Sequence, residues 1–430
     1  MKILFINPKS VDPEALGVPP LGILGIAAYI RSRGYKDIRV IDDSLEKLPA
    51  RKLEDAIRDA DIVGVTGSTC QYKYAQQISR ICEANGVFSV MGGPHATPVP
   101  EDVLNTSSFD MVVRSEGEIT FINILKQLNK KDFSKVLGIS YRKDGKIIHN
   151  PDQPYIKDLD ALPFPARDLV PLDKYPTKKL ARFSDSRYTN LMTSRGCPNA
   201  CTYCSSPITW RRTVRFRSAS NVFLELKELR EKFGFRCLHF HDDTFTVSRK
   251  RVVDLCDMII ADGLDIEWSC ITRPDRCDYE LCLLMAKAGC KQIDLGVESG
   301  SEKLLKMAGK NYTKKQIRKA FRDAKRAGLL RHAFFIIGLP GETLWTYLQS
   351  IKFARELDLD SSVWTVLLPF PGTEIYNKKL VNIIDADYVN WLYKTPVIRS
   401  GWMGPRTLMT LRKAADILTN SWHNPVYAKK

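Results

Sequence analysis

The sequence predicts two successive α/β domains followed by a short helical tail, and three observations carry that reading. From Met1 to about Thr120, strand-like and helix-like pieces alternate, as a parallel sheet with crossover helices requires. A second run of strand and helix units starts at Tyr188, and its strands each end in polar residues. Directly after the first strand of that run stand Cys197, Cys201 and Cys204, at CxxxCxxC spacing.

At 430 residues the chain is long enough for two sizeable cores. Its hydrophobic content of 44% and charged content of 27% are those of an ordinary globular protein. The start, Met1 to Pro8, reads as a buried strand rather than a signal peptide. The longest apolar stretch, Gly17 to Ile30, is broken by Pro19 and Pro20 and is too short for a bilayer span. Eleven cysteines, an odd number without an export signal, argue for reduced thiols and a cytoplasmic location. The net charge is +16, and residues 302–331 carry 11 Lys or Arg against only Glu302 and Asp323. Ile317, Ala320, Phe321 and Ala324 form the buried stripe of a helix opened by Thr313 and closed by Gly328. Its basic side therefore reads as a solvated face, with an acidic protein, nucleic acid or anionic membrane as the functional alternatives.

In chain order, the first domain (1–125) has strands at Lys2–Asn7, Ile38–Ile41, Ile62–Thr66, Phe88–Met91 and Met111–Arg114. Leu21–Arg33 and Tyr74–Asn85 have helical length and a glycine stop. Ligands of such sheets gather beyond the carboxyl ends of the strands. The loops there are Asn7-Pro8, Gly67–Tyr72, Gly92–Thr97 and Ser115–Glu118. Residues 126–187 read as a linker with a helix, a hairpin turning at Asp144-Gly145, and a proline-rich strap. Residues 188–384 supply six strands, the first before the cysteines. The others are Cys237–Asp242, Ile266–Thr272, Gln292–Glu298, His332–Ile337 and Val363–Leu368. The tail, 385–430, holds Trp391, Tyr393, Trp402 and a helix from Arg406 to Asn420.

Three thiolates in one loop can hold three irons of a four-iron cluster and leave the fourth iron open, whereas structural zinc closes with a fourth ligand. A zinc knuckle or a redox CxxC from Cys201 and Cys204 is the alternative. The spacing, with Tyr203 before the last cysteine, resembles the signature of the radical S-adenosylmethionine (SAM) superfamily. That resemblance implies a 4Fe-4S cluster that splits SAM to a 5′-deoxyadenosyl radical, fed by flavodoxin or ferredoxin. The six strands match that family's partial (β/α)6 TIM barrel. At their ends Arg273 suits the SAM carboxylate, and Glu298 and Ser299 suit ribose or ammonium. Gly338, Leu339 and Pro340 suit adenine, with Tyr203 beside it. Asp242 and Asp243 read as loop-structuring residues. Cys270, Cys277, Cys282 and Cys290 are spaced too irregularly for a second cluster and read as buried hydrophobes.

The glycine-bearing loops together with Pro19-Pro20-Leu21-Gly22 resemble the Rossmann-like cobalamin-binding domain that precedes the barrel in a large radical SAM subgroup. The contacts this implies are Pro20, Leu21, Ser68, Thr69, Cys70, Gln71, Tyr72, Gly92, Gly93, Pro94, His95, Glu116 and Gly117. The DxHxxG segment that ligates cobalt from below is absent, so the lower face of cobalt is expected against Cys70, Gln71 and Tyr72. His95 is expected at the corrin edge or nucleotide tail, with a structural role as its alternative. The combined resemblance implies a cobalamin-dependent C-methyltransferase that uses methylcobalamin on an unactivated carbon. Its substrate could be a peptide or protein, methyl-coenzyme M reductase being one case. A cobalamin-dependent cyclase or ring-rearranging enzyme is the alternative. A methylthiotransferase-like RNA modifier would need an amino-terminal cluster site, where only Cys70 and Cys82 stand, so nucleic acid is not expected as a partner. A corrinoid sensor without activity is disfavoured by the intact cluster and SAM motifs.

Overall fold

Apolar runs of four or five residues, bounded by glycine, proline or polar turns, become the parallel strands of the first unit. In the computed structural model, which describes residues 1–11, 18–175, 182–185 and 187–420, these are β1 (Ile3–Asn7), β2 (Ile38–Asp42), β3 (Ile62–Val65), β4 (Phe88–Met91) and β5 (Met111–Val113). They pair in parallel in the order 2-1-3-4-5. Helices cover both faces, so the strands read as continuous apolar runs. Ile3 and Phe5 join one core with the helix Leu21–Ser32. Leu4 and Ile6 join the other with the helix Tyr72–Ala84. Gly64 is required between them, because a Cβ there would stand 2.7 Å from the Phe5 ring.

The predicted hairpin forms as β6 (Ile139–Lys143) and β7 (Lys146–His149), with Asp144 at φ 50° and Gly145 at φ 73° in its turn. It pairs antiparallel to β5 and makes the sheet seven-stranded. Arg114 bonds the carbonyls of Ile139 and Asn150, which fastens the hairpin to the strand it follows. The first compact unit runs Met1–Pro176 and also takes Asp387–Val389, so the hairpin expected in the linker packs with the first sheet.

The second unit contains a sheet of six parallel strands in strict chain order. They are Tyr188–Leu191 (β8), Cys237–Phe240, Glu267–Thr272, Cys290–Glu298, Leu330–Ile337 and Ser361–Val366. Helices alternate with them, several opened by side-chain caps. Ser248 accepts from the Arg251 amide and Asp278 from that of Leu281. Thr313 and Gln316 cap each other reciprocally. Phe240, Phe245 and Trp268 pack as an aromatic cluster in its core. The tail helix spans Pro405–Asn420, and of the expected tail only 421–430 lie outside the described residues. Among the described residues no helix is long and apolar enough to cross a membrane.

Candidate functional site

The cysteine loop is fixed at its base by a carboxylate. Asp242 accepts from the Thr193 amide at 2.7 Å, from the Ser194 hydroxyl at 2.6 Å and from the Thr193 hydroxyl. Arg251 stands 3.6 Å from the same carboxylate. Asp243 accepts from Ser206 at 2.8 Å, on the far side of the cysteines. Both aspartates thus order the loop, as their sequence position suggested. Gly196 lies at φ 93°, where a Cβ would stand 2.1 Å from the Thr213 carbonyl, so the turn into the cysteines admits only glycine.

Cys197, Cys201 and Cys204 are each half-buried and unbridged. The Asn199 amide donates to the Cys197 sulfur at 3.1 Å, and the Ser206 N–H donates to that of Cys204 at 3.4 Å. Burial pushes the Cys201 thiol up and that of Cys204 to about 12. Bound iron would offset that cost by stabilising the thiolates. Three free, half-buried thiols in one loop are the donor set of a four-iron cluster with one iron left open.

A cation that sequence reading missed lies beside these thiols. Gly309, at φ 74°, packs so tightly on the loop that a Cβ would stand 2.5 Å from the Ala200 carbonyl and 3.3 Å from Cys201 Cα. The Thr202 amide bonds the Ala308 carbonyl at 3.2 Å. This contact delivers Lys310, whose ammonium is 2.8 Å from Glu298 Oε1, both side chains being buried. Tyr203 and Tyr312 each place a ring centroid 5.7 Å from the ammonium. Burial opposes the charge on Lys310, but the Glu298 carboxylate 2.8 Å away outweighs it and keeps the amine protonated. Glu298 itself sits at φ 64° beside a register shift after Gly296. In the sequence, Lys310 was one charge of a basic run, and its burial had no local signal.

The other SAM candidates divide. Arg273 is buried, forms a bidentate pair with Asp275 at 2.9 and 3.2 Å and stacks on Tyr312 at 4.9 Å, so its charge is already partly offset. Ser299 is committed to structure, with its hydroxyl 3.2 Å from that of Ser350 and accepting from the Ser301 amide. Gly338 donates its N–H to Glu342 at 2.6 Å, and Leu408 and Ile398 of the tail pack over it. Leu339 is buried and Pro340 half-buried in the same turn. Burial raises the Glu342 carboxyl to about 7. Of the tail aromatics, Trp391 is core, whereas Trp402 is half-exposed and bonds the Glu342 carbonyl at 3.1 Å.

In the first unit, the order 2-1-3 places a topological switch between β1 and β3, the expected ligand crevice of such a sheet. Gln71 spans it: its amide donates to Asn7 at 3.1 Å and to the Pro8 carbonyl at 2.8 Å. Its oxygen accepts from the Ser68 amide and hydroxyl, both at 2.9 Å. Ser68 also meets the Cys70 sulfur at 3.3 Å. Thr69 bonds His95 Nδ1 at 3.2 Å, while His95 Nε2 is buried with no partner. The imidazole lies 4.3 Å from the Tyr72 ring and 5.0 Å from that of Tyr388, and burial holds it neutral, down to about 4. Tyr72 is turned away from the loop into the core, where its hydroxyl meets Thr106 at 2.5 Å, because the helix already begins at this residue. Gly92 bonds the Val65 carbonyl, Gly93 has Thr66 where a Cβ would lie, and Pro94 is exposed beside them. Glu116 accepts from the Ile156 amide at 2.8 Å, and Gly117 gives room to Ile26. Pro20 and Leu21 open the first helix, half-buried.

Four of the seven cations of the basic helix Lys314–Arg326 are paired with carboxylates. Arg318 pairs with Glu356 at 2.7 Å, Lys319 with Asp323 at 2.5 Å, and Lys325 with Asp358. Arg326 stacks on Tyr279. Cys270, Cys282 and Cys290 are fully buried in the second core.

Residues 191–371 match the radical SAM superfamily, and residues 15–125 match the B12 binding domain. An uncharacterized methyltransferase of Pyrococcus horikoshii is 36% identical over 92% of this chain and 87% of its own length. An anaerobic magnesium-protoporphyrin IX monomethyl ester cyclase of Rubrivivax gelatinosus is 29% identical over 93% of this chain and 74% of its own. Among solved structures, the radical SAM methyltransferase TsrM of Kitasatospora setae, with cobalamin and a 4Fe-4S cluster bound, superposes with a TM-score of 0.74. It is 18% identical and covers 87% of this chain and 77% of that one.

Proposed function

We propose that this chain, which belongs to the radical SAM superfamily and to its B12-binding methyltransferase branch, methylates an unactivated carbon with methylcobalamin after a SAM-derived radical has abstracted hydrogen. The groups it would bind supply the difficult chemistry: a 4Fe-4S cluster reduces SAM, and the corrinoid carries the methyl group. The chain's own residues hold and orient them.

Cys197, Cys201 and Cys204 would hold the cluster. Lys310 offers a buried protonated amine for the SAM carboxylate, the role first given to Arg273. Arg273 and Glu298 border the same space, and Tyr203 and the turn Gly338–Pro340 offer apolar and backbone edges for adenine. The loop Ser68–Gln71 would help hold the corrinoid, and it has no imidazole to offer the metal. His95, boxed between two tyrosines, is free only at Nε2, which suits a polar group of the corrinoid periphery.

The observation that carries this reading is the buried Lys310 set against the Cys201 loop by the Gly309 contact, a cation facing the Cys201 and Cys204 thiols with one carboxylate to balance it. A net charge of +16 leaves room for a peptide or protein substrate with an acidic surface, methyl-coenzyme M reductase included. The similarity to the Rubrivivax cyclase supports one second reading, in which cobalamin serves ring formation without giving up a methyl group. Product counting separates the two. SAM donates methyl as an electrophile and cannot methylate a carbon radical directly. Each methylated product should therefore appear with about one S-adenosylhomocysteine and about one 5′-deoxyadenosine. Product formed with deoxyadenosine but no matching S-adenosylhomocysteine would replace methyl transfer by the cyclase reading.

A further inference from the structure

Large apolar side chains left outside the second unit are exceptions to its packing, and several of them gather in one place. Trp345 is 69% exposed and Leu344 51%, in the first turn of the helix Leu344–Glu356, with Leu348 one turn on at 46%. Met307 is 44% exposed, and its methyl lies 3.1 Å from where a Cβ on Gly341 would be, three residues before Leu344. Trp402 extends the patch through its bond to the Glu342 carbonyl. A contiguous apolar surface of this kind marks an interaction site.

Its rim is basic. Lys303 lies one turn before Met307 and Lys306 directly before it, both in the helix Glu302–Met307, and Lys352 lies one turn after Leu348. All three are exposed and make no ion pair among the described residues, whereas Arg318 and Lys325 of the neighbouring helix are paired.

The patch adjoins the cysteine loop. The Met307 carbonyl accepts from the Thr202 hydroxyl at 3.5 Å, the Ala308 carbonyl takes the Thr202 amide, and Gly309 rests on Ala200 and Cys201. A protein seated on Met307 therefore reaches the backbone that carries Cys201 without entering the site where SAM would bind.

We propose that this surface docks an acidic one-electron carrier protein, a flavodoxin, which feeds the cluster held by Cys197, Cys201 and Cys204; the inference rests on that assignment of the thiols. The flavin hydroquinone anion gives up one electron and becomes the neutral semiquinone. The oxidised cluster takes that electron, and no proton moves. The unpaired lysines choose this occupant over a second copy of the chain, because a two-fold contact would set like charges against one another. An apolar centre with a charged rim suits a transient electron-transfer complex, whose encounter is steered by charge and weakened by salt.

The test uses oxidised flavodoxin and the full-length chain without its cluster, with binding followed by flavin fluorescence at low and high salt. The double variant Lys303→Glu with Lys306→Glu, and separately Trp345→Ser, should each weaken binding about tenfold, equivalent to about 1.4 kcal/mol. In the reconstituted protein the same variants should slow flavodoxin-driven SAM cleavage at limiting carrier, while dithionite-driven cleavage matches that of the unmodified chain. Unchanged flavodoxin affinity in both variants overturns the docking site. So does self-association of the unmodified chain that Trp345→Ser abolishes, since a second copy would then be the occupant. Failure of dithionite to support cleavage in the unmodified chain strikes the cluster assignment instead, and the binding measurement still decides the surface.

Discussion

Replacing Lys310 by methionine keeps most of the length of the side chain and removes its charge, leaving the Glu298 carboxylate buried with no cation at 2.8 Å. At an effective dielectric of about 20, two unit charges at that distance attract by about 6 kcal/mol, a gain offset by several kcal/mol of desolvation for each ion. The intact pair is therefore worth little net, but breaking it is costly. Lys310→Met should lower local stability by about 3–5 kcal/mol. Adding Glu298→Gln removes the stranded charge, so the double variant should recover at least about 2 kcal/mol of that loss. Because the chain has two units and need not unfold in one step, hydrogen exchange over residues 290–312 is the better assay. It should be run without bound cofactors, so that the stability effect is read apart from SAM binding. Equal losses in the single and double variants, or a Lys310→Met loss under about 1 kcal/mol, would refute the view that these two charges depend on one another.

Cys201→Ala should abolish iron incorporation and SAM cleavage while corrinoid binding by the first unit persists; corrin absorbance lost together with iron in a folded variant would sink that division of labour. Glu342 predicts a pH effect of definite sign. Its carboxyl is raised from 4.5 to about 7, so the folded chain holds a proton that the unfolded chain releases, and the stability it contributes falls as pH rises through that window. The span corresponds to roughly 3 kcal/mol. Glu342→Gln should therefore gain thermal stability relative to the unmodified chain at pH 8 over pH 5, and a difference independent of pH would count against the raised value.

The sequence made the strands legible because their apolar runs were short and cleanly bounded, and it made the thiols legible because CxxxCxxC is a local pattern. What it hid was set by distant contacts. Lys310 looked like one more exposed charge until Gly309 was seen pressed against Ala200. Ser299 looked like a ligand group, yet Ser350, fifty-one residues on, claims its hydroxyl. Tyr72 belonged by position to a loop, but the helix starts there, two residues before the Tyr74 expected, and that rotates its ring into the core. The hairpin was visible, but its pairing to β5 was not, because an edge strand carries no mark of what will join it.

The return of Asp387–Val389 to the first unit sets an order on assembly. Lys73 bonds Asp387 at 2.7 Å, and the Tyr388 ring closes against His95 and Tyr72. During synthesis the first sheet can form as soon as its hairpin has left the ribosome, but one wall of the His95 pocket is still more than two hundred residues from being made. A nascent or truncated chain ending before residue 387 would present that pocket open. The polypeptide thus finishes its first unit only after the whole second sheet has been translated.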